Sequence, residues 1–157
     1  MDSKSDEEYK AAAFFIMRMF FAQFWVLQFW GKMYDHESGM AAFRNLGIWA
    51  KQTTTWMTTQ TILPVWAVYP YTFVLPYVEL LIGILLLLGI QLRRTLIFSA
   101  FLVISLDIGL MMKLKHDIAA TNTIYLIATL LALRWVGHSR WTVEDVIRDF
   151  GRRGPYP

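Results

Sequence analysis

Long apolar runs separated by short polar breaks dominate the chain. Four of these runs are candidates for membrane-crossing helices, which need about 20 residues to traverse the hydrocarbon. AAAFFIMRMFFAQFWVLQFWGK occupies residues 11–32, and a second run extends from about Thr72 to Ile90 (72–90). TLIFSAFLVISLDIGLMM covers 95–112, and a shorter run with Asn122 and several threonines at its start covers 119–136. Residues 1–10, MDSKSDEEYK, form a polar N-terminal tail. It is acidic, unlike the basic start of a cleaved signal peptide, so the first run is expected to be a retained helix.

The connection over residues 33–71 carries a pattern of its own. GMAAFRNLGIWAKQTTTWMTTQT sets Phe43, Leu46, Trp49, Ala50 and Thr53 at helical spacing, with Arg44 and Lys51 turned away. That pattern predicts a helix lying in the membrane interface. Pro64, Pro70 and Pro76 follow, predicting an extended or kinked approach, with Pro76 in the first turns of the second span. Residues 137–157 read as a cytoplasmic amphipathic tail. In SRWTVEDVIRDFGRRG, Thr142 caps a short helix, Glu144 and Asp145 suit its positive end, and Gly151 stops it. Trp141, Val143, Val146, Ile147 and Phe150 offer an apolar stripe to lipid or a partner. The predicted class is an all-α membrane protein. Its four-transmembrane-helix bundle spans 11–136, with an interfacial segment in the first extracytoplasmic loop and a C-terminal amphipathic helix.

Composition agrees with that picture. Only 17% of the residues are charged and mean hydropathy is +0.39, where a soluble domain carries about 25% charged residues. The absence of cysteine excludes disulfides, thiol redox chemistry, iron–sulfur clusters and thiolate metal sites. The net charge of +3 resides at the ends of the apolar runs. Anionic lipid is therefore the expected partner and nucleic acid is not. In a four-span chain, Lys4, Lys10, Arg93, Arg94, Arg134, Arg140 and Arg148 share one side, which predicts that both termini are cytoplasmic.

Three charges fall inside the runs: Arg18, Glu79 and Asp107. Each costs about 2.5–3.5 kcal/mol on insertion scales, which makes it a functional candidate. Glu79 and Asp107 are expected at a common depth in the outer half of the bundle. Lys32, at the end of the first run, and Lys113 are the available counter-charges, with Asp35, His36, His116 and Asp117 around the mouth. One reading has Glu79 and Asp107 transfer protons while Lys32 polarises a quinone oxygen. The other has a buried ion pair or hydrogen bond that orients the helices. Arg18, Trp25 and Lys32 recur every seven residues and share one helix face. Arg18 and Trp30 are candidates for contact with a bound cofactor, although Arg18 also suits cytoplasmic phosphates. His36 and His116 are the only candidate metal ligands, and neither sits in a strong ligand spacing. No intrinsic cofactor is expected, and quinone is the candidate ligand. Gly83, one turn from Glu79 on the same face, is expected to admit a neighbouring helix closely.

A first helix ending in Gly31-Lys32, a long outer loop, VELLIGILLLLGIQLRR over 78–94 and a third apolar helix follow in order. This arrangement resembles the DoxX-like membrane family, nearest to the DoxD-type subunits of thiosulfate:quinone oxidoreductase. Glu79, Gly83, Leu85–Leu88, Gly89 and Arg93–Arg94 match that family's second-helix pattern, and TVEDVI resembles its short acidic motif after the fourth helix. Gln28, Phe29 and Trp30 precede Gly31 where the family has a second small residue. The resemblance implies a bacterial or archaeal plasma-membrane protein. It would be either a small accessory subunit of a respiratory or photosynthetic redox complex, docked on larger membrane subunits, or a quinone-reactive oxidoreductase subunit.

Overall fold

A computed structural model describes residues 3–35, 39–112 and 116–152. Those residues are almost wholly helical: α1 (Ser3–Met33), a two-residue hairpin of β1 (Tyr34–Asp35) and β2 (Met40–Ala41), α2 (Phe43–Gln60), α3 (Val65–Leu88), α4 (Leu92–Met112), α5 (His116–Trp135), a single 3-10 turn at Val136–His138, and α6 (Val143–Arg152). Three of the described helices are long and apolar enough to cross a membrane: Lys4–Met33, Val65–Leu88 and Leu92–Met112.

The core forms where α1 meets α3, α4 and α5. Phe14, Phe21, Ala22 and Trp25 of α1 pack with Ile82 and Leu86 of α3, Leu92, Leu96 and Val103 of α4, and Ala132 of α5. The indole N–H of Trp25 donates to Ser99 Oγ at 2.9 Å, so the largest buried ring brings its polar atom to a partner on α4. Gly83 explains why α1 and α3 approach so closely. A Cβ there would lie 2.8 Å from Val26 Cγ2 and 3.2 Å from the Ala22 carbonyl oxygen, and only hydrogen fits.

Several boundaries differ from the sequence expectation. The polar residues from Ser3 onwards continue α1 and are not a separate tail. α3 begins at Val65, so Pro70, expected in an extended or kinked approach, lies inside the helix, as does Pro76, which was expected in its first turns. Each proline removes one ladder hydrogen bond, but Pro76 is buried in the packed bundle, and tertiary packing outweighs the local preference. α4 starts at Leu92 and α5 at His116, three residues earlier than expected in each case.

The first connection does contain a helix, α2, with its buried face turned from the expected one. Leu46, Ala50, Thr54 and Met57 are buried, while Phe43 is exposed. Leu46 shares a small apolar cluster with Leu80, and Thr54 Oγ1 lies 2.8 Å from Thr72 Oγ1. As the α2 residue number rises the α3 number falls, so the two helices run antiparallel along the first half of α3. The tie between α1 and α2 is Asn45, whose amide donates to the carbonyls of Met33 (2.9 Å) and Met40 (3.2 Å).

At the other end of the bundle, Gly89 closes α3 with φ +72 and Ile90 N–H bonds back to Leu85 O at 3.0 Å, the six-to-one bond of a Schellman turn. α6 docks on this turn. Thr142 caps it, as expected, by accepting from Asp145 N–H at 3.0 Å, and Asp145 returns the bond by accepting from Thr142 N–H at 3.1 Å. Gly151 does not stop the helix, which continues to Arg152.

Candidate functional site

Glu79 sits well inside α3, about 21 Å from its first residue and about 14 Å from its last at 1.5 Å per residue. Its side chain is only 1% exposed. One carboxylate oxygen, Oε2, accepts from Lys32 Nζ, making a buried ion pair between the end of α1 and the middle of α3. Lys32 also reaches the Gln28 carbonyl at 3.3 Å and stands 5.1 Å from the centre of the Trp49 ring on α2. A charge pair taken out of water stabilises a fold only when its remaining hydrogen-bonding capacity is met. Here it is not fully met: the second oxygen, Oε1, is buried and has no hydrogen-bond partner among the described residues.

Glu79 and Lys32 are among the residues lining a cavity of about 500 Å3 between α1, α2, α3, α4 and α5. Most of its lining is apolar, including Phe24, Met57, Leu75, Leu106 and Ile108. The polar groups are few. Tyr71 and Ser105 bond across it at 2.9 Å, Thr72 bonds to Thr54, and Asn122 stands at the α5 side. An apolar chamber of this size with a handful of convergent polar groups is the usual form of a small-molecule site.

Lys32 and Glu79 therefore come together as the sequence suggested, and Asp107 does not join them. It accepts from the Asn122 amide at 2.7 Å, an α4–α5 contact, and is not part of the cavity wall. α4 is apolar nearly all round, so its sequence does not fix which neighbour Asp107 faces. The two acids expected at one site occupy two.

Arg18 and Trp30 also depart from their expected role. Trp30 is 50% exposed on α1 and is not among the residues lining this cavity. Arg18 is 2% exposed and lies at the far end of the bundle. It donates to the Trp141 carbonyl at 3.0 Å, packs 5.0 Å from the centre of the Phe15 ring and abuts Gly89. Lys113 and His36 lie outside the described residues, as do the side chains of Asp35, His116 and Asp117. Among the described residues no cluster of three or more metal-ligating side chains occurs.

Sequence reasoning missed Tyr71, Ser105, Trp49 and the Thr54–Thr72 pair. Tyr71 fell in the expected approach to the second span, and Ser105 reads as an ordinary small polar residue in a span. The one available signal was spacing: Thr72 and Glu79 stand seven residues apart, on one helix face.

No family model, characterised protein or solved structure matches the chain.

Proposed function

We propose that this is a DoxX-like membrane protein that holds a quinone in the cavity beside Lys32 and Glu79, as the quinone-binding subunit of a membrane redox complex. The observation that carries this reading is the Lys32–Glu79 ion pair at the wall of a largely apolar chamber between α1, α2, α3, α4 and α5. A flat, mostly apolar ring with oxygens at its edge matches both parts of that wall. No cysteine supplies a thiol or an iron–sulfur ligand, so electrons reach the quinone from another subunit.

In this reading α5 joins α1, α3 and α4 as a fourth span, and both termini are cytoplasmic. The α3–α4 turn, the start of α6 and Arg18 gather at one end of the bundle, and Arg93, Arg94, Arg140 and Arg148 lie in the same part of the chain. That concentration of arginine supports a cytoplasmic face there. Arg44 and Lys51 on the exposed side of α2 face the opposite boundary, where the first loop meets the headgroups.

Purification from native membranes in mild detergent, followed by solvent extraction, tests the reading. Quinone should accompany the wild-type chain at close to one equivalent and be lost from Gly109→Leu. Gly109 lines the cavity, and a Cβ there meets only Met57 Cε at 3.6 Å, so the substituent enters the chamber without striking backbone. Quinone no more abundant than with an unrelated membrane protein in the same detergent would leave only the accessory-subunit role.

A further inference from the structure

A second cavity, of about 480 Å3, lies at the other end of the bundle, between the α3–α4 turn, the 3-10 turn and the start of α6. Arg93 and Arg94 of α4 and Arg148 of α6 line it, together with Glu144 and Asp145. Opposite charges set in one wall would ordinarily pair, and these do not. Among the described residues none of the three arginines belongs to an ion pair. The only hydrogen bond from their guanidinium groups there is Arg94 Nη1 to Gln91 Oε1, at 3.3 Å. The acids are engaged with backbone: Glu144 Oε1 accepts from Gln91 N–H and Asp145 Oδ2 from Thr142 N–H. Arg148 acts on Asp145 through space, without a bond. Three arginines against two carboxylates leave the lining with an excess of positive charge. Behind it stands a fourth cation. Arg18 Nη1 lies 2.8 Å from where a Cβ on Gly89 would be, and Gly89 and Thr142 both belong to the cavity wall. Arg18 Nε and Nη1 are buried without partners among the described residues. A ligand would not touch this guanidinium, but its charge acts through a wall of low dielectric and adds to the field inside.

The depth of the cavity identifies the anion. α3 and α4 are both long and apolar enough to be spans, and only the short turn Gly89–Gln91 separates them. Such a turn cannot rise clear of the headgroups, so the arginines stand at the level of lipid phosphates. Leu87 and Leu88, just before the turn, are exposed, as are Trp141 and Ile147, the chain neighbours of Thr142 and Arg148. These offer acyl chains and the headgroup boundary an apolar surface. We infer that the cavity is a specific site for one anionic phospholipid, its phosphate held by Arg93, Arg94 and Arg148. Guanidinium forks match phosphate oxygens in geometry as well as charge. A zwitterionic headgroup would bring an ammonium into a lining already positive in excess. The charge at the ends of the apolar runs suggested anionic lipid as a general partner; the site gives one lipid a fixed place and a task. By binding residues of α4 and α6 together, it reinforces the hold of Arg18 on Trp141. None of this depends on the quinone reading.

The test offers the delipidated full chain, in neutral detergent, equal amounts of dioleoyl phosphatidylglycerol and dioleoyl phosphatidylcholine. Bound lipid is counted by native mass spectrometry. One phosphatidylglycerol should be retained at least about 10-fold over phosphatidylcholine, the effect of one hydrogen bond between charged groups. Arg93→Gln combined with Arg148→Gln should bring that ratio below about 3-fold, since each substitution removes a charged phosphate donor. Both side chains are exposed and unpaired among the described residues, so the fold should tolerate their loss. A second readout needs no variant: in the wild-type chain, phosphatidylglycerol should slow hydrogen exchange in α6 by at least about 3-fold and leave α2 unchanged. Equal retention of the two lipids, a preference that survives both substitutions, or an α6 indifferent to phosphatidylglycerol overturns the site. Millimolar inorganic phosphate that slows α6 exchange as much as the lipid does would make the ligand a soluble anion and overturn the lipid assignment.

Discussion

Two buried cations on the same face of α1, Arg18 and Lys32, are treated in opposite ways by the rest of the chain. Lys32 meets a full negative charge, Glu79, beside an open chamber. Arg18 meets a backbone carbonyl and a ring, with its Nε and Nη1 buried and unpartnered among the described residues. A Cβ on Gly89 would lie 2.8 Å from both Arg18 Nη1 and Thr142 Cβ. Each end has a cavity, of about 500 and 480 Å3, but the first is lined by the ion pair itself and by mostly apolar side chains. The second holds its own segments: Arg18 clasps Trp141, and Glu144 of α6 accepts from Gln91 N–H at 2.8 Å. Among the described residues, Gln91 (φ 46) and Trp141 (φ 58) are the non-glycine residues in the left-handed region, and both lie at this clasp. Such backbone persists where surrounding contacts over-determine it. One end of α1 thus reads as a site and the other as a latch.

The sharpest way to break that contrast is to remove each cation. Lys32→Met strands Glu79 without its partner, and loss of one member of a buried pair costs about 3–5 kcal/mol. Unfolding in detergent should show this as the largest single-residue loss in the molecule outside the core aromatics. Replacing both members, Lys32→Met with Glu79→Leu, should recover most of the stability, because a buried pair is often matched by apolar residues of similar volume. If the double variant remains as unstable as Lys32→Met, the ion pair is not the cause.

Arg18→Met should cost less, about 2 kcal/mol, since it removes a charged donor without stranding a carboxylate. Its effect should also be local. Hydrogen exchange should accelerate in α6 and the α3–α4 turn while quinone binding stays within about 3-fold of wild type, a margin under 1 kcal/mol. Equal losses for the Arg18 and Lys32 variants would erase the distinction between site and latch. Gly89→Ala belongs to the same end. It forces a side chain into the left-handed region, at about 1–2 kcal/mol, and drives a Cβ against Arg18 and Thr142. It should loosen α6 in the same way.

The sequence made parts of both ends legible, for identifiable reasons. Gly83 opposite Val26, the Thr142 cap and the Lys32–Glu79 pairing are local or one-contact inferences, drawn from residue types with few alternatives. The start of α3 was hidden because Pro70 argues locally against helix, although the helix continues through it from Val65. Asp107 was misassigned because an all-round apolar helix has no moment to orient it, so its Asn122 partner became visible only with α5 in place. The chamber was hidden for a related reason. It is the space left where α1 ends at Met33 while α3 continues alongside α2, and no single segment encodes that offset.

The smallest expected effect distinguishes the two ends by acid. At the latch, hydrogen bonding with the Thr142 hydroxyl, helped by Thr142 N–H and by Arg148 and Arg18 nearby and opposed by slight burial, holds the Asp145 carboxyl below its ordinary range. A lowered pKa in the folded state means that the ionised form is the one the fold prefers. Its contribution is therefore fully present above the unfolded value, about 3.9, and is lost as pH falls through the lower folded value. Protection factors of α6 amides, corrected for intrinsic exchange, should be flat from neutrality to about pH 5 and fall below about pH 4. Thr142→Ala should lower them at every pH by the equivalent of about 1 kcal/mol, the usual loss of a cap, and flatten the acid limb, since it removes the largest cause of the shift. Asp145→Asn should abolish that limb altogether. An acid limb that survives in Asp145→Asn would assign the sensitivity to another carboxylate and leave Asp145 out of the latch.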